Sequence, residues 1–391
     1  MESKYILLEI GIILLAANLG GLLSKKLKQP AVLGQIIAGM ILGLGLMHKT
    51  EFIEHMAEIG VIFLMFIAGL ETDVEELRAS SKSSSLIALG GVVIPFAFVA
   101  GGIYVMTRDL NTSLFMGVIS TATSVSISVQ TLREISQLRT RQGISILGAA
   151  IIDDIIGIIL LTILIGFVKP SESAGLAFVL GKIGLFFVIT FIIGYIITKA
   201  IEKYRERINL EDTIVTYAIV VCFILAFMSE ELGVAAITGA YFSGVVFSMT
   251  RHRHKVSHEI SKLSSTVFTP IFFVAIGMGV DLGAALTAIS IGSVLIVMGS
   301  LGKLIGSGFG ARLSGFTSRQ SLQIGIGMVP RAEVAIIIAN LGMRIGIIGE
   351  KELAAVILMV VATTLFTPSL LKWSFAEKPE AVLQSTGERI S

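Results

Sequence analysis

Apolar residues occur along this chain in long runs that are separated by short charged stretches. Runs of about twenty apolar residues are long enough to cross the hydrocarbon core of a bilayer as helices. The sequence therefore predicts an all-α polytopic membrane protein. We predict about thirteen transmembrane helices, at residues 5–23, 32–47, 56–70, 85–107, 112–132, 144–168, 175–199, 213–230, 233–249, 264–280, 284–311, 320–341 and 352–372.

Composition supports this class. The 391 residues are 54% hydrophobic and 15% charged, whereas a soluble domain carries about 25% charged residues. Soluble, fibrous and disordered classes are therefore excluded. Cys222 is the single cysteine, which excludes a secreted scaffold held by internal disulfides. The 41 glycines and 7 prolines are typical of closely packed membrane helices.

The distribution of Lys and Arg predicts the orientation. Of 30 such residues, 21 fall in connections on the side of the C-terminus and 6 on the opposite side. By the positive-inside rule the N-terminus is outside and the C-terminus is cytoplasmic, in a multi-pass protein of the cell membrane. The first segment lacks a basic start and a cleavage site, so we expect it to be a span rather than a signal peptide.

No soluble module is expected. Residues 373–391 are short and polar, and we interpret them as a cytoplasmic tail. No glycine-rich phosphate loop precedes a helix, so we expect no nucleotide and no cofactor. The net charge of +2 gives no indication of a nucleic-acid partner; the expected surroundings are the lipid bilayer.

Two pairs of similar segments indicate an internal repeat. "VLGQIIAGMILG" around Gly34 resembles "AITGAYFSGVVFS" around Gly239, 205 positions later. "VIFLMF" at Ile62 resembles "PIFFVA" at Ile271, 209 positions later. An odd number of predicted crossings separates the copies, so the second copy is inverted. We predict two inverted six-helix repeats, as many secondary transporters have.

Two adjacent aspartates, Asp153 and Asp154, lie near the middle of the span 144–168. An ionisable residue at this depth is costly and indicates a functional site. Neighbours on a helix point about 100° apart, so the two carboxyls cannot share one ligand shell. We expect one to face a cavity and the other a protein partner; a purely structural pair is the alternative.

Lys303 lies within the span 284–311. A buried ammonium needs a carboxylate, and the candidates at similar depth are Asp153, Asp154 and Glu333. Spacing does not decide among them. The alternative is a lysine close to the end of its span that extends to the membrane surface.

The span 320–341 contains Pro330, Arg331 and Glu333 in "GMVPRAEVAII". Proline removes an N–H group and clashes with the preceding turn, so we predict a broken helix. Each end of a broken helix carries about half a charge. Arg331 and Glu333 are candidates to compensate those ends, either as charge neutralisers alone or as direct ion ligands.

Hydroxyl side chains fill the span 112–132. The repeat offset places Thr121 opposite Val329, beside the Pro330 break, so each half is predicted to carry one interrupted helix. Hydroxyl and free carbonyl oxygens are suitable ligands for alkali cations, although hydroxyls also bond back to their own helix. The hydroxyl residues are Ser120, Thr121, Thr123, Ser124, Ser126 and Ser128.

Three histidines occur in "RHRHKVSH", residues 251–258, between two spans. We interpret this segment as a solvated basic anchor at the membrane surface. Metal binding and pH sensing by His252, His254 and His258 are the alternatives.

The acid pair Asp153-Asp154, the late Lys303 and the "PRAE" segment resemble the second cation:proton antiporter family, in particular sodium/proton antiporters of the NapA and GerN type. The resemblance covers about residues 5–372 and implies an NhaA-like fold. It implies that Asp154 is the alternating cation and proton site, with Asp153 the partner of Lys303. Thr121, Thr123 and Ser126 are implied at the first break.

The resemblance also implies a homodimer in which a mobile core moves against a dimerising panel. The predicted panel comprises residues 5–70 and 213–280, and the predicted ion-translocation core comprises residues 85–168 and 284–372. Residues 175–199 are the linker helix. Relatives that mediate potassium efflux carry a nucleotide-sensing domain after the core, which this sequence does not predict.

We therefore predict a secondary active transporter rather than an enzyme. It exchanges Na⁺, with K⁺ and Li⁺ as alternatives, for protons by alternating access. Burial disfavours an ionised carboxyl and a nearby cation favours it, so one dry aspartate holds either a proton or an alkali ion. Two acids and one lysine leave room for a second proton, hence electrogenic exchange. A sodium-coupled symporter of an organic solute with the same fold is the alternative. An aspartyl protease needs two converging carboxyls, which adjacent helical residues cannot supply.

Overall fold

The computed structural model describes residues 6–168, 175–203, 210–279 and 288–376, and every regular element in these ranges is helical. Most of the predicted tail 373–391 and the connection between the predicted spans 264–280 and 284–311 lie outside them. The helices are α1 (Ile6–Lys26), α2 (Ala31–Gly43), α3 (Glu51–Glu71), α4 (Val74–Thr107), α5 (Leu110–Thr121), α6 (Val125–Glu134), α7 (Arg141–Val168), α8 (Leu176–Lys203), α9 (Leu210–Glu231), α10 (Ala236–Ser248), α11 (Arg253–Leu263), α12 (Thr269–Met278), α13 (Ile289–Leu313), α14 (Ser318–Gly327), α15 (Glu333–Arg344) and α16 (Glu350–Phe375).

Length and composition allow 10 of the described helices or helix pairs to cross a membrane. α5 and α6 together form one such span, and so do α11 and α12, which are joined by a π-helical turn at Ser264–Phe268. Three apolar helices are shorter, at Ala31–Gly43, Ala236–Ser248 and Val334–Arg344. The number of thirteen spans therefore stays a prediction.

One predicted boundary differs clearly from the structure. The fourth span was expected at 85–107, but α4 begins at Val74. The Asp73 carboxylate accepts hydrogen bonds from the backbone N–H groups of Glu75 and Glu76, which caps the first turn. The polar segment that follows lies outside the predicted span, yet it is helical because the cap and the acidic first turn stabilise the start of the helix.

The two repeats pack reciprocally in one group of helices. Gly34 of α2 contacts α1, and Gly39 of α2 contacts α12; a Cβ at either glycine would overlap a carbonyl oxygen. Gly239 of α10 contacts α9, and Gly244 of α10 contacts α3, equally closely. Helix α2 thus packs between α1 and α12, and helix α10 packs in the same way between α9 and α3. Small residues allow this close approach of membrane helices.

A second group contains α4, α5–α6, α7, α13, α14–α15 and α16. At its centre α4 crosses α13, where Gly90 and Gly306 lie so close that a Cβ on either would overlap the carbonyl oxygen of the other. Gly302 of α13 similarly leaves no room for a Cβ beside Pro95. The glycines around Lys303 therefore bring α13 against α4, which buries the lysine.

Candidate ion-binding site

The two aspartates of α7 have different neighbours. Asp153 is 2% exposed and accepts both hydrogen bonds of a salt bridge from Lys303, with Nζ 2.8 Å from Oδ1 and 2.9 Å from Oδ2. Lys303 itself is fully buried. The side chain is inside the helix group rather than at the surface of its span. The carboxylate with which it forms an ion pair is that of Asp153.

Glycine on α4 makes room for this ion pair. A Cβ at Gly91 would lie 3.5 Å from the Lys303 Nζ and would overlap the Ser307 hydroxyl. A side chain at position 91 would therefore have to displace the Ser307 hydroxyl, while its Cβ would meet the ammonium at ordinary contact distance. The Thr123 side chain lies next to the Asp153 carboxylate, and its hydroxyl donates to the Met328 carbonyl at 3.5 Å, so the acid lies beside the first broken helix.

Two broken helices cross next to the acid pair. The first break separates α5 from α6 at residues 122–124, and the second separates α14 from α15 at residues 328–332. The backbone N–H of Ser124 donates to the Pro330 carbonyl at 2.7 Å, and the Ser128 hydroxyl donates to the Gly327 carbonyl at 2.5 Å. Backbone groups that lack a partner within their own helix at one break thus form hydrogen bonds with the broken helix of the other half of the chain.

Arg331 contacts the ends of both broken helices. It is fully buried, and its guanidinium donates to the Ser120 carbonyl near the end of α5, with Nη2 at 2.7 Å and Nε at 3.0 Å. It also donates to the Val329 carbonyl just beyond the end of α14, and to the Gly299 carbonyl at 3.1 Å. Carbonyls at helix C-termini carry partial negative charge, and this one cation lies against two such ends.

The other predicted residues at the breaks have separate positions. Pro330 lies in the second break, as predicted, and supplies the carbonyl that pairs with Ser124. Thr121 donates its hydroxyl to the Val118 carbonyl at 2.8 Å. The Ser126 hydroxyl bonds that of Ser124 at 3.1 Å. Glu333 begins α15, and its side chain lies outside the described residues.

A cavity of about 680 Å³ reaches the acid pair. Asp153, Asp154 and Thr121 line it, whereas Thr123 and Ser126 are not among its lining residues. Most of the wall is apolar and comes from both groups of helices, through α3, α10 and α12 on one side and α7, α15 and α16 on the other. Asp154 is 7% exposed, so its carboxyl is almost dry while facing this cavity.

The two ends of the cavity region differ. At one end Lys49 and Glu54 form an ion pair at 2.8 Å, and both residues line the cavity, as does Glu230. At the end of α6, on the opposite side, the Glu134 carboxylate accepts hydrogen bonds from the backbone N–H groups of Ala31, at 2.6 Å, and Val32, at 3.3 Å. These N–H groups belong to the first turn of α2, where an anion is favoured.

A second contact strengthens the same end. Arg133 Nε lies 3.3 Å from Glu71 Oε1, and its Nη2 donates to the Ser261 hydroxyl at 3.3 Å. These contacts join α6 to α3 and α11. The two helix groups are therefore hydrogen-bonded to each other at this end and separated by the cavity at the other.

The histidine segment lies apart from the acid pair. Arg253 begins α11 and donates to the Glu71 carbonyl at 3.4 Å. In the part of the chain that the structure describes, no group of three or more His, Cys, Asp and Glu residues is arranged to hold a metal ion. The interpretation as a basic surface anchor stays a prediction.

Sequence reasoning overlooked three residues at these positions. The Thr363 and Thr364 hydroxyls of α16 bond the backbone of Arg331 in the second break, and Glu134 joins α6 to α2. The repeat offset of about 208, applied to the acid pair, points to residues 361 and 362, next to the threonines. Glu134 carries no comparable signal, because an acid at the end of a helix resembles an ordinary solvated residue.

Comparison with known proteins decides the family. The family model described as "Sodium/hydrogen exchanger, transmembrane" matches residues 12–377. The chain belongs to the sodium/hydrogen exchanger family. The predicted resemblance is thereby confirmed, and so is the prediction of a transporter rather than an enzyme.

Relatives and solved structures agree with this family. The chain is 40% identical to the Na⁺/H⁺-K⁺ antiporter GerN of Bacillus cereus, over 98% of the chain and 100% of the relative. It is 33% identical to a Na⁺/H⁺ antiporter of Enterococcus hirae, over 93% and 96%. The solved structure of MjNhaP1, a sodium proton antiporter of Methanocaldococcus jannaschii, at pH 8 aligns with a TM-score of 0.70 at 18% identity, over 96% and 98%. The predicted all-α polytopic fold is confirmed.

Proposed function

We propose that Asp154 is the group that binds either the cation or the proton as this chain exchanges a monovalent cation for protons. The observation that carries the proposal is the position of Asp154. Its carboxyl faces a cavity and is almost dry, beside a Lys303–Asp153 ion pair that already occupies the neighbouring acid. In such surroundings a carboxyl is neutralised by one proton or by one cation and does not hold both.

Oxygen atoms near Asp154 can replace part of the hydration shell of an alkali ion. Thr121 lines the same cavity, and its hydroxyl retains a lone pair when it donates to Val118. We propose Thr121 as a ligand with Asp154, and Thr123 and Ser126 as residues that hold the first break. Na⁺ is the proposed ion. K⁺ is the second ion to test, because the relative GerN is named a Na⁺/H⁺-K⁺ antiporter. Li⁺ is tested for comparison.

The difference between the two ends of the cavity supports alternating access. In the predicted topology the end with Lys49 and Glu54 is outside, and the contacts of Arg133 and Glu134 are cytoplasmic. We assign this conformation as open to the outside. The opposite conformation requires the cytoplasmic contacts to separate while the core, residues 85–168 and 284–372, moves against the panel, residues 5–70 and 213–280.

The Lys303–Asp153 pair supports an electrogenic exchange. If Lys303 releases its proton when the cation binds, a second proton accompanies each cycle. A transport rate that does not respond to a clamped membrane voltage would contradict this stoichiometry.

We also propose a homodimer through α1, where the exposed residues Leu8, Leu15 and Leu22 recur every seven positions, as in paired helices. Light scattering of the protein in detergent tests the dimer.

Sodium-coupled uptake of an organic solute is the less favoured function. The relatives that match nearly the whole chain at 33–40% identity are named as antiporters, which supports exchange. Substrate-dependent sodium uptake without proton movement would instead support the symporter.

The test is a pH-gradient dye assay in proteoliposomes with NaCl, KCl or LiCl. We expect wild type to dissipate the gradient with Na⁺. Asp154→Asn should reduce exchange by about 100-fold or more, because an amide neither binds the proton nor neutralises the cation. The matched control is Asp73→Asn, the same change at an exposed helix cap, which should retain exchange. Full activity of Asp154→Asn would contradict the proposal.

A further inference from the structure

We propose that Thr363 and Thr364 are positioning residues that hold the Arg331 peptide, so that its guanidinium reaches both broken helices. This inference rests on the proposed exchange function and extends it to α16. Both threonines are buried, at 3% and 0% exposure. The Thr363 hydroxyl accepts the Arg331 N–H at 3.1 Å, and the Thr364 hydroxyl donates to the Arg331 carbonyl at 2.9 Å.

Arg331 needs these partners because its own helix cannot supply them. In a continuous helix its N–H would bond the Gly327 carbonyl, but that carbonyl accepts the Ser128 hydroxyl instead. The Arg331 carbonyl lies at the start of α15, outside the regular hydrogen bonds of α14. Buried backbone groups without partners are costly, so two adjacent hydroxyls fix the orientation of this peptide.

The orientation of the peptide determines where the guanidinium lies. Its nitrogens bond Ser120 on the first broken helix and Val329 on the second. A tilt of the Arg331 peptide would move the guanidinium from at least one of these carbonyls. The negative end of that helix would then be uncompensated close to Thr121, which lines the cavity of Asp154.

Geometry separates these threonines from an ordinary buried hydroxyl on the same helix. Thr363 donates its own proton to the Met359 carbonyl at 2.9 Å, which leaves a lone pair for the Arg331 N–H. Thr367, which is also fully buried, donates to the Thr363 carbonyl at 2.6 Å. That bond stays within α16, as is common for threonine in membrane helices. Thr367 is therefore a matched control.

The experiment compares Thr363→Val, Thr364→Val and Thr367→Val with the corresponding serine variants. Valine keeps the shape and removes the hydroxyl, and serine keeps the hydroxyl. Apparent KM for Na⁺ and maximal exchange rate are measured in proteoliposomes, and thermal unfolding of the purified protein is measured in detergent. We expect Thr363→Val and Thr364→Val each to raise the apparent KM by about ten-fold, the change that corresponds to one lost buried hydrogen bond.

The serine variants and Thr367→Val should stay within about two-fold of wild type, since they keep both bonds to Arg331. Should a valine variant fail to fold, Thr364→Ala and Thr364→Ser carry the same comparison, because they differ only in the hydroxyl. An active wild type in which Thr363→Val, Thr364→Val and Thr367→Val behave alike would overturn this inference and leave the proposed function intact. A wild type that exchanges no cation would overturn the proposed function itself.

Discussion

The two halves of this chain repeat one helical frame with different chemistry. Each half has a short glycine-bearing helix, α2 or α10, and one broken helix, α5–α6 or α14–α15. The first half supplies the acids Asp153 and Asp154 on α7. The second half supplies the bases Lys303 on α13 and Arg331 in the second break. Each base bonds a group of the first half, Lys303 to Asp153 and Arg331 to the Ser120 carbonyl.

This difference shows that the repeat preserves shape and not charge. Where α7 carries the acid pair, the corresponding part of α16 carries Thr363 and Thr364, which bond the backbone of the second break. Neither half would be electrically satisfied by itself, because a buried charge needs a partner. Charge complementarity therefore joins the two halves at the position where the ion is proposed to bind. Substitutions that break this complementarity should have the largest effects.

The largest effect is expected for Lys303→Met. It removes the ammonium and leaves the Asp153 carboxylate buried without its ion-pair partner, which should lower the free energy of unfolding by about 3–5 kcal/mol. Unfolding by denaturant in detergent micelles measures the change. Adding Asp153→Asn to this variant removes the unpaired carboxylate as well.

The double variant Lys303→Met/Asp153→Asn is the matched control for this prediction. Replacing both members of a buried ion pair by uncharged groups of similar volume is often nearly neutral, so we expect the double variant to recover most of the lost stability. If the double variant is as unstable as the sum of the single variants, the two side chains do not act as a pair.

A smaller effect is expected for Arg331→Lys. Lysine keeps the positive charge, but its three donors on one nitrogen replace a planar fork of five and cannot reproduce the four bonds to the Ser120, Val329 and Gly299 carbonyls. We expect the free energy of unfolding to fall by about 1–3 kcal/mol, and exchange to fall by about ten-fold. Arg319→Lys is the control, since Arg319 bonds carbonyls at an exposed position. Equal behaviour of the two variants would show that charge alone suffices at position 331.

The sequence predicts the frame of the site better than its contacts. Pro330 marks the second break because a missing N–H is encoded locally, and the acid pair is conspicuous in an apolar run. The choice of Asp153 over Asp154 by Lys303 depends on how α7 is rotated against α13, which neighbouring positions on a helix do not encode. Glu134 looks like a solvated residue until α2 is packed against it.

Arg331 illustrates the same limit at a single residue. The residue type and its place beside Pro330 predict compensation of helix ends. The sequence does not indicate that one guanidinium bonds carbonyls of both halves of the chain. Thr363 and Thr364 look like ordinary hydroxyls that bond to their own helix, because their partner is more than thirty residues away. Tertiary packing, rather than local propensity, therefore decides which polar groups meet.

The smallest effect concerns the caps of the two broken helices, which again differ between the halves. α14 begins with a neutral cap, in which the Thr317 hydroxyl and the Gln320 side chain each bond backbone N–H groups. α5 is capped by Asp109, which accepts hydrogen bonds from the Thr112 hydroxyl at 2.7 Å and the Asn111 N–H at 3.0 Å. These bonds, above all that of Thr112, hold the pKa of Asp109 below its ordinary value of 3.8.

Because the pKa of Asp109 is lower in the folded protein than in the unfolded protein, its negative charge stabilises the fold at pH values above the unfolded pKa. This stabilisation is lost as the pH falls through the folded pKa. Asp109→Asn keeps a capping oxygen and removes the charge, so at pH 7 it should cost only about 0.5 kcal/mol at this exposed position. The difference between wild type and variant should disappear as the pH falls below 3.8, whereas Thr317→Ala, which removes a neutral cap, should cost the same at both pH values. The measurement is the unfolding midpoint of each variant in detergent, at pH 7 and at a pH below 3.8. If the difference between wild type and Asp109→Asn is the same at both pH values, the charge of Asp109 does not stabilise the start of α5.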